Sequence, residues 1–226
     1  MASAGKSRGA DEIDFACISV ENSRNVRRDI SKSDVTVVGV TGHRILADVL
    51  LIEAGIDRAL ARIEREAELR DEHQRLVVLS PLAEGADRLV VLRALARPTF
   101  ALHAVLPFPR DDYMQDFSEP DSRAEFLRLL RRAEEVLELS GSPTRDEGYE
   151  AAAGCIVEKS DMLIAVWDGK RAQGRGGTAE FVELARRRDL PLAWIQAGNR
   201  SPGTLAPTSL GAVQGQVVFE RFQSPD

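Results

Sequence analysis

The chain has 226 residues, with 30 Lys plus Arg against 36 Asp plus Glu, a formal charge of −6, 43% hydrophobic residues and 5% aromatics. No apolar run approaches the ~18–20 residues needed to cross a bilayer, and the first residues lack the apolar stretch of a secretory signal, so a cytoplasmic protein without membrane partners is expected. Cys17 and Cys155 stand far apart with no CxxC or Cys/His spacing, which supports neither a disulfide scaffold nor a metal site. The net acidity, with a pI of about 5.3, opposes binding to long nucleic acid.

Residues 1–33 carry scattered charge and one short apolar patch, Phe15–Val20, and read as a flexible tail with at most an edge strand. The remainder, 34–226, reads as a single domain. Val35–Val40 is a β-branched run of the kind buried on both faces of a parallel sheet. A helix follows to near Arg70, because Leu51, Ile52, Ile56, Ala59, Leu60 and Ile63 recur at three- and four-residue spacing. Arg75–Ser80 is a second strand, Glu84–Leu95 a helix and Phe100–Leu106 a third strand, stopped by Pro107 and Pro109. A long loop, an amphipathic helix from Ser122 to about Leu137 and a helix over Glu147–Lys159 come next. Met162–Trp167 is a fourth strand, Gly177–Arg187 a helix and Leu190–Ile195 a fifth strand. Ala197–Gly211 reads as loop, with a last edge strand over Gln216–Phe222. Strand and helix alternate throughout, which predicts an α/β protein with a Rossmann-like, doubly wound, mainly parallel sheet flanked by helices.

In such a sheet ligands bind beyond the carboxyl ends of the strands, where strand order reverses. Four loops fall there. Gly39-Val-Thr41-Gly42-His43-Arg44 joins the first strand to its helix, and its glycines and Thr41 suit either a phosphate or a merely tight turn. Ser80 and the segment Glu84-Gly85-Ala-Asp87 follow the second strand, with carboxylates that either face a ribose or base or satisfy a helix dipole. After the third strand, Phe108 or Tyr113 is placed to stack on a base and Arg110 to meet a phosphate, or the loop only covers the sheet. The fourth is Asp168-Gly169, followed by Arg175-Gly176-Gly177-Thr178 and Glu180 opening a helix. Backbone N–H groups there suit a nucleotide phosphate; the bland alternative is a glycine-rich connection with Thr178 as N-cap. Arg outnumbers Lys 26 to 4, and Arg44, Arg88, Arg110, Arg171 and Arg175 all fall on or beside these loops. The isolated His73 and His103 read as ordinary surface or satisfied histidines.

Taken in order, Thr-Gly-His-Arg44, Ala-Glu-Gly-Ala-Asp87, Leu-Pro-Phe108, Tyr149-Glu-Ala-Ala-Ala-Gly154, Ser-Asp161 and Asp-Gly169 with Gly-Gly-Thr178 resemble the SLOG superfamily. This Rossmann-like group includes the lonely-guy phosphoribohydrolases and the DNA-processing protein A fold. The resemblance spans roughly Val35–Ile195 and is nearest to the bacterial branch that accompanies nucleotide-signalled defence. It implies a sensor for a nucleotide or ADP-ribose-like small molecule, with no further cofactor, and a homodimer or higher oligomer. The alternative it implies is a nucleoside 5′-monophosphate N-ribohydrolase, with Glu180 or Glu84 stabilising an oxocarbenium-like state. The enzymatic branch carries Pro-Gly-Gly-x-Gly-Thr-x-x-Glu. Here Glu180 comes two residues after Thr178 instead of three, a shift that turns a helical side chain by about 100°. The Arg-Lys pair of that branch is also missing before Ser160-Asp161.

Overall fold

The computed structural model describes residues 35–69, 74–171 and 177–223. The N-terminal tail, His73, Arg175 and Gly176 lie outside the described residues.

Seven strands form one sheet: β1 (Val35–Gly42), β2 (Arg75–Ser80), β3 (Phe100–Leu106), β4 (Glu135–Glu138), β5 (Met162–Trp167), β6 (Leu192–Gln196) and β7 (Val217–Glu220), in spatial order β4-β3-β2-β1-β5-β6-β7. All neighbours are parallel except β6 and β7. The chain therefore winds outward from β1 in one direction through β4, then returns to the other side of β1 at β5. This is the doubly wound α/β topology, with its switch point between β1 and β5.

The helices are α1 (Val49–Glu68), α2 (Ala86–Ala94), a single turn α3 (Arg110–Tyr113), α4 (Pro120–Leu130), α5 (Arg145–Lys159) and α6 (Thr178–Arg187). They divide between two faces because side chains alternate along each strand. Met162, Ile164 and Val166 of β5 point into the core shared with α1, α2 and α4, while Leu163, Ala165 and Trp167 point into the one built from α5 and α6. In α1, Ile52, Ile56, Ala59, Leu60 and Ile63 are fully buried. Each large apolar side chain so buried contributes about 1.5–3 kcal/mol. α5 starts at a capping box: the Thr144 hydroxyl accepts from the Glu147 N–H at 3.3 Å, and the Glu147 carboxylate accepts from the Thr144 N–H at 3.1 Å.

Strands β2, β3 and β5 occupy the ranges the sequence predicts, and the other predicted elements shift by a few residues at their ends. Two corrections are larger. The helix expected over Ser122–Leu137 ends at Leu130, and Glu135–Glu138 is the edge strand β4. After a turn in which the Arg132 and Ala133 N–H groups bond to Leu129 and Leu130, the Glu134 N–H reaches the Leu102 carbonyl at 2.8 Å. The open edge of β3 captures the chain, and the apolar spacing of Ala133, Val136 and Leu137 that mimics a helix serves a strand. The loop after β3 also holds structure, α3 and the 3₁₀ turn Met114–Asp116. Among the described residues no helix is long and apolar enough to cross a membrane.

Candidate functional site

The carboxyl ends of β1 and β5 lie side by side, with Gly42 in register with Val166. Gly42 is required by packing, since a Cβ there would overlap Ala86 at the start of α2 and press on Val166 at 2.9 Å. The His43 N–H continues the ladder to the Val166 carbonyl at 3.0 Å, and the His43 carbonyl accepts from the Ala86 N–H at 3.0 Å. Gly85 makes this junction possible: its φ is +80°, and a side chain would run into the Arg44 carbonyl. Three segments, His43-Arg44, Gly85-Ala86 and Val166-Trp167-Asp168, are thus locked together at the switch point.

His43 is 8% exposed and its Nε2 accepts from the Asp168 backbone N–H at 3.1 Å. Burial lowers its pKa, against the opposing pull of Asp168, so the ring is neutral at pH 7 and carries its proton on Nδ1. The 3.3 Å approach of the Asp168 carboxylate to Nε2 is accordingly not an ion pair at neutral pH. The same carboxylate closes a turn by accepting from the Lys170 N–H at 3.1 Å. Gly169 follows with φ +78°, where a Cβ would sit 3.0 Å from the Trp194 ring.

The remaining predicted residues separate into those at this crevice and those the fold uses elsewhere. Thr41 is 5% exposed in the last part of β1. Gly39 lies in mid-strand, where a side chain would meet Ser160 Oγ at 2.5 Å, so it sets the approach of α5 to the sheet. Ser80 is wholly buried and its hydroxyl accepts from the Leu82 N–H at 3.0 Å, inside the turn after β2. Glu84 accepts a hydrogen bond from the Ser122 hydroxyl and is thereby turned toward α4. Arg88 is buried too, donating from Nε and Nη1 to the Leu82 and Ser122 carbonyls at 3.0 and 2.9 Å and lying 4.4 Å above the Phe117 ring, while its Nη2 has no hydrogen-bond partner. Phe108 is enclosed: Tyr149 packs edge-on at 5.5 Å, the Arg145 guanidinium covers it at 4.2 Å, and Gly148 leaves room for its ring. Arg110 is exposed beside Asp111, and Arg171 is exposed near the end of the described segment. At the other flank Gly177, not Thr178, is the N-cap of α6, and its carbonyl accepts from the Glu180 N–H at 2.9 Å. Thr178 and Glu180 occupy the first turn.

Asp87 stands apart from the other carboxylates. It is 4% exposed in the first turn of α2, and its Oδ1 has no hydrogen-bond partner. Burial pushes its pKa up to about 8, against the pull of Arg44, the Ala83 N–H and Arg88. It is therefore a neutral acid at pH 7. Tyr113, fully buried on α3, likewise has an unpartnered hydroxyl, and burial raises its pKa further. Exposed Arg44 lies 5.4 Å from the Tyr149 ring centre, and the Tyr149 hydroxyl donates to Asp116. From sequence Tyr113 is a stacking candidate only, and the pairing of Tyr149 with Asp116 is not visible. Their contact spans 33 residues and leaves no periodic trace. Among the described residues no group of His, Cys, Asp and Glu is arranged to hold a metal ion.

Fold and crevice together define an open, doubly wound α/β protein whose switch point is flanked by the amino-terminal ends of two helices, α2 and α6. No family model matches the chain, and no curated protein is significantly similar to it.

Proposed function

We propose that the chain binds a nucleotide-type small molecule, of the ADP-ribose class, in the crevice beyond β1 and β5. The observation that carries this reading is the convergence of His43-Arg44, Asp168-Gly169 and the first turns of α2 and α6 on one switch point. Unsatisfied N–H groups at a helix start attract phosphate, and the crevice beyond the strand ends is where open α/β sheets place ligands. The binding is that of a sensor, read out through a changed contact with a second copy or partner. The displaced Glu180 supports this over hydrolysis, because the shift of about 100° removes the carboxylate position that the lonely-guy motif uses.

Thermal denaturation with AMP, other nucleoside monophosphates and ADP-ribose, with free base measured in the same samples, tests the proposal. A ligand at about 100 times its dissociation constant adds about 2.7 kcal/mol to stability. Stabilisation without base release is expected. Release of base that Glu180→Gln abolishes would replace the sensor with an N-ribohydrolase, and no shift with any nucleotide would end both readings.

A further inference from the structure

Three fully enclosed side-chain atoms have nothing to bond to at the start of α2 and on α3: Asp87 Oδ1, Arg88 Nη2 and the Tyr113 hydroxyl. Buried polar groups in proteins are almost always satisfied, so each such orphan marks a missing partner. Resting on the nucleotide reading above, we propose that Asp87, Arg88, Tyr113 and Arg44 form the subsite that takes a phosphate group of the ligand.

The chemistry follows from what faces Asp87. Arg44 comes from the loop after β1, Arg88 is its neighbour on α2, the Ala83 N–H bonds to it from the loop after β2, and Tyr113 faces it from α3. Arg88 spends Nε and Nη1 on Leu82, Ser122 and Glu125, and its Nη2 is left without a partner. Four groups remain for a ligand: a neutral carboxyl, a neutral phenol, the Arg88 Nη2 and the Arg44 guanidinium. All four donate hydrogen bonds, and the first two are donors only while protonated. A phosphate group is acceptor-only and suits all of them at once, whereas a cationic ligand would meet two arginines. A sugar hydroxyl pair would require Asp87 ionised, beside the apolar surroundings that keep it neutral.

Arg44 is the solvent-exposed member and marks the side of entry. The cover is the short α3, which carries Tyr113 and is held from outside by Arg145 on Asp112 at 3.1 Å and by Arg145 and Tyr149 on Asp116. The Tyr149–Asp116 contact is part-buried, and the Tyr113 ring packs edge-on against Phe117 and Phe126. Opening requires that ring to leave its neighbours, and its return over the anion closes the subsite.

Sulfate is the probe, because its charge does not change with pH. Its stabilisation of the full chain is measured by thermal denaturation from about pH 6.5 to about 9.5, spanning the carboxyl's titration. For the wild type the apparent affinity is expected to be constant up to about pH 8 and then to fall by up to about tenfold per unit as Asp87 ionises. Asp87→Asn retains a neutral donor, so it should bind sulfate with a flat profile. Tyr113→Phe, which keeps the ring, should bind about 10–100-fold more weakly through loss of one charge-assisted bond. A wild-type profile that matches Asp87→Asn across the range overturns the proposal, as does Tyr113→Phe with wild-type affinity or the absence of any sulfate response. AMP run in parallel separates the two readings. Sulfate binding of this form without AMP binding leaves the subsite and removes the nucleotide. AMP binding that is indifferent to Asp87→Asn and Tyr113→Phe at every pH removes the subsite and leaves the nucleotide.

Discussion

Substituting Asp87 by Asn should change how the stability of this protein depends on pH more than any other single replacement of a carboxylate described above. An exposed aspartate titrates near 3.8, and Asp87 in the folded chain near 8. Between those limits the folded state holds one proton that the unfolded state has released. Stability therefore falls as pH rises, by about 1.36 kcal/mol per unit. From pH ~5 to pH ~7 the wild type loses about 2.7 kcal/mol through this group alone, and the ceiling over the whole interval is about 6 kcal/mol. Asn has the same shape, still accepts from the Ala83 N–H and does not titrate. Urea denaturation of both proteins at steps across this range gives the difference directly, because the other titrating groups cancel. The variant should gain on the wild type with each unit of pH up to about 8 and then hold its advantage. Two parallel stability curves would refute the reasoning, since they would mean that Asp87 is ionised in the folded protein.

Further outcomes follow from the same contacts. Gly85→Ala should cost roughly 2–4 kcal/mol in chemical denaturation, combining a positive φ with a clash on the Arg44 carbonyl. His43, whose pKa burial depresses below 6.5, is bound by a proton more readily in the unfolded chain. Wild type should therefore lose stability faster than His43→Gln as pH drops below about 6.5, measured by thermal denaturation in an acid series. Tyr149→Phe removes the hydroxyl that donates to Asp116 and should lower stability by about 1 kcal/mol, again by urea titration. Arg186→Ala breaks the paired contact with Glu220, at 2.6 and 3.0 Å, that ties α6 to β7. Both groups are partly exposed, so a loss within about 1 kcal/mol is expected, and it should shrink in high salt.

The parts of this fold legible in the sequence are those fixed by local pattern. β2, β3 and β5 are continuous apolar runs because both faces of the sheet are covered, and their limits could be read residue by residue. The order of strands and helices likewise follows from alternation alone. The boundary of α4 was not legible, since Ala133, Val136 and Leu137 have a helical spacing and only the vacant edge of β3 makes them a strand. The same holds in the crevice. Glu84 and Asp87 look equivalent as two carboxylates three residues apart at a helix start. Ser122, 38 positions away, occupies the first, while the second is buried with an unpartnered oxygen, and neither outcome is encoded near the residues it affects. Phe108 looked free to stack on a base, but Arg145 and Tyr149 from the next helix cover it. Gly39, Gly42 and Gly85 were legible as glycines with a purpose, and in each the purpose includes a close approach between backbone and a neighbouring element.

The chain contains two tryptophans, and both stand at one lip of the crevice. Their rings lie 5.5 Å apart, the Trp194 indole N–H donates to the Trp167 carbonyl at 2.9 Å, and Gly169 rests against the Trp194 ring. The protein thus has a built-in optical reporter. A molecule settling against Asp168 and Gly169 alters the surroundings of these two emitters, and no tryptophan elsewhere dilutes the signal. Occupancy can be followed by intrinsic fluorescence in the unlabelled chain.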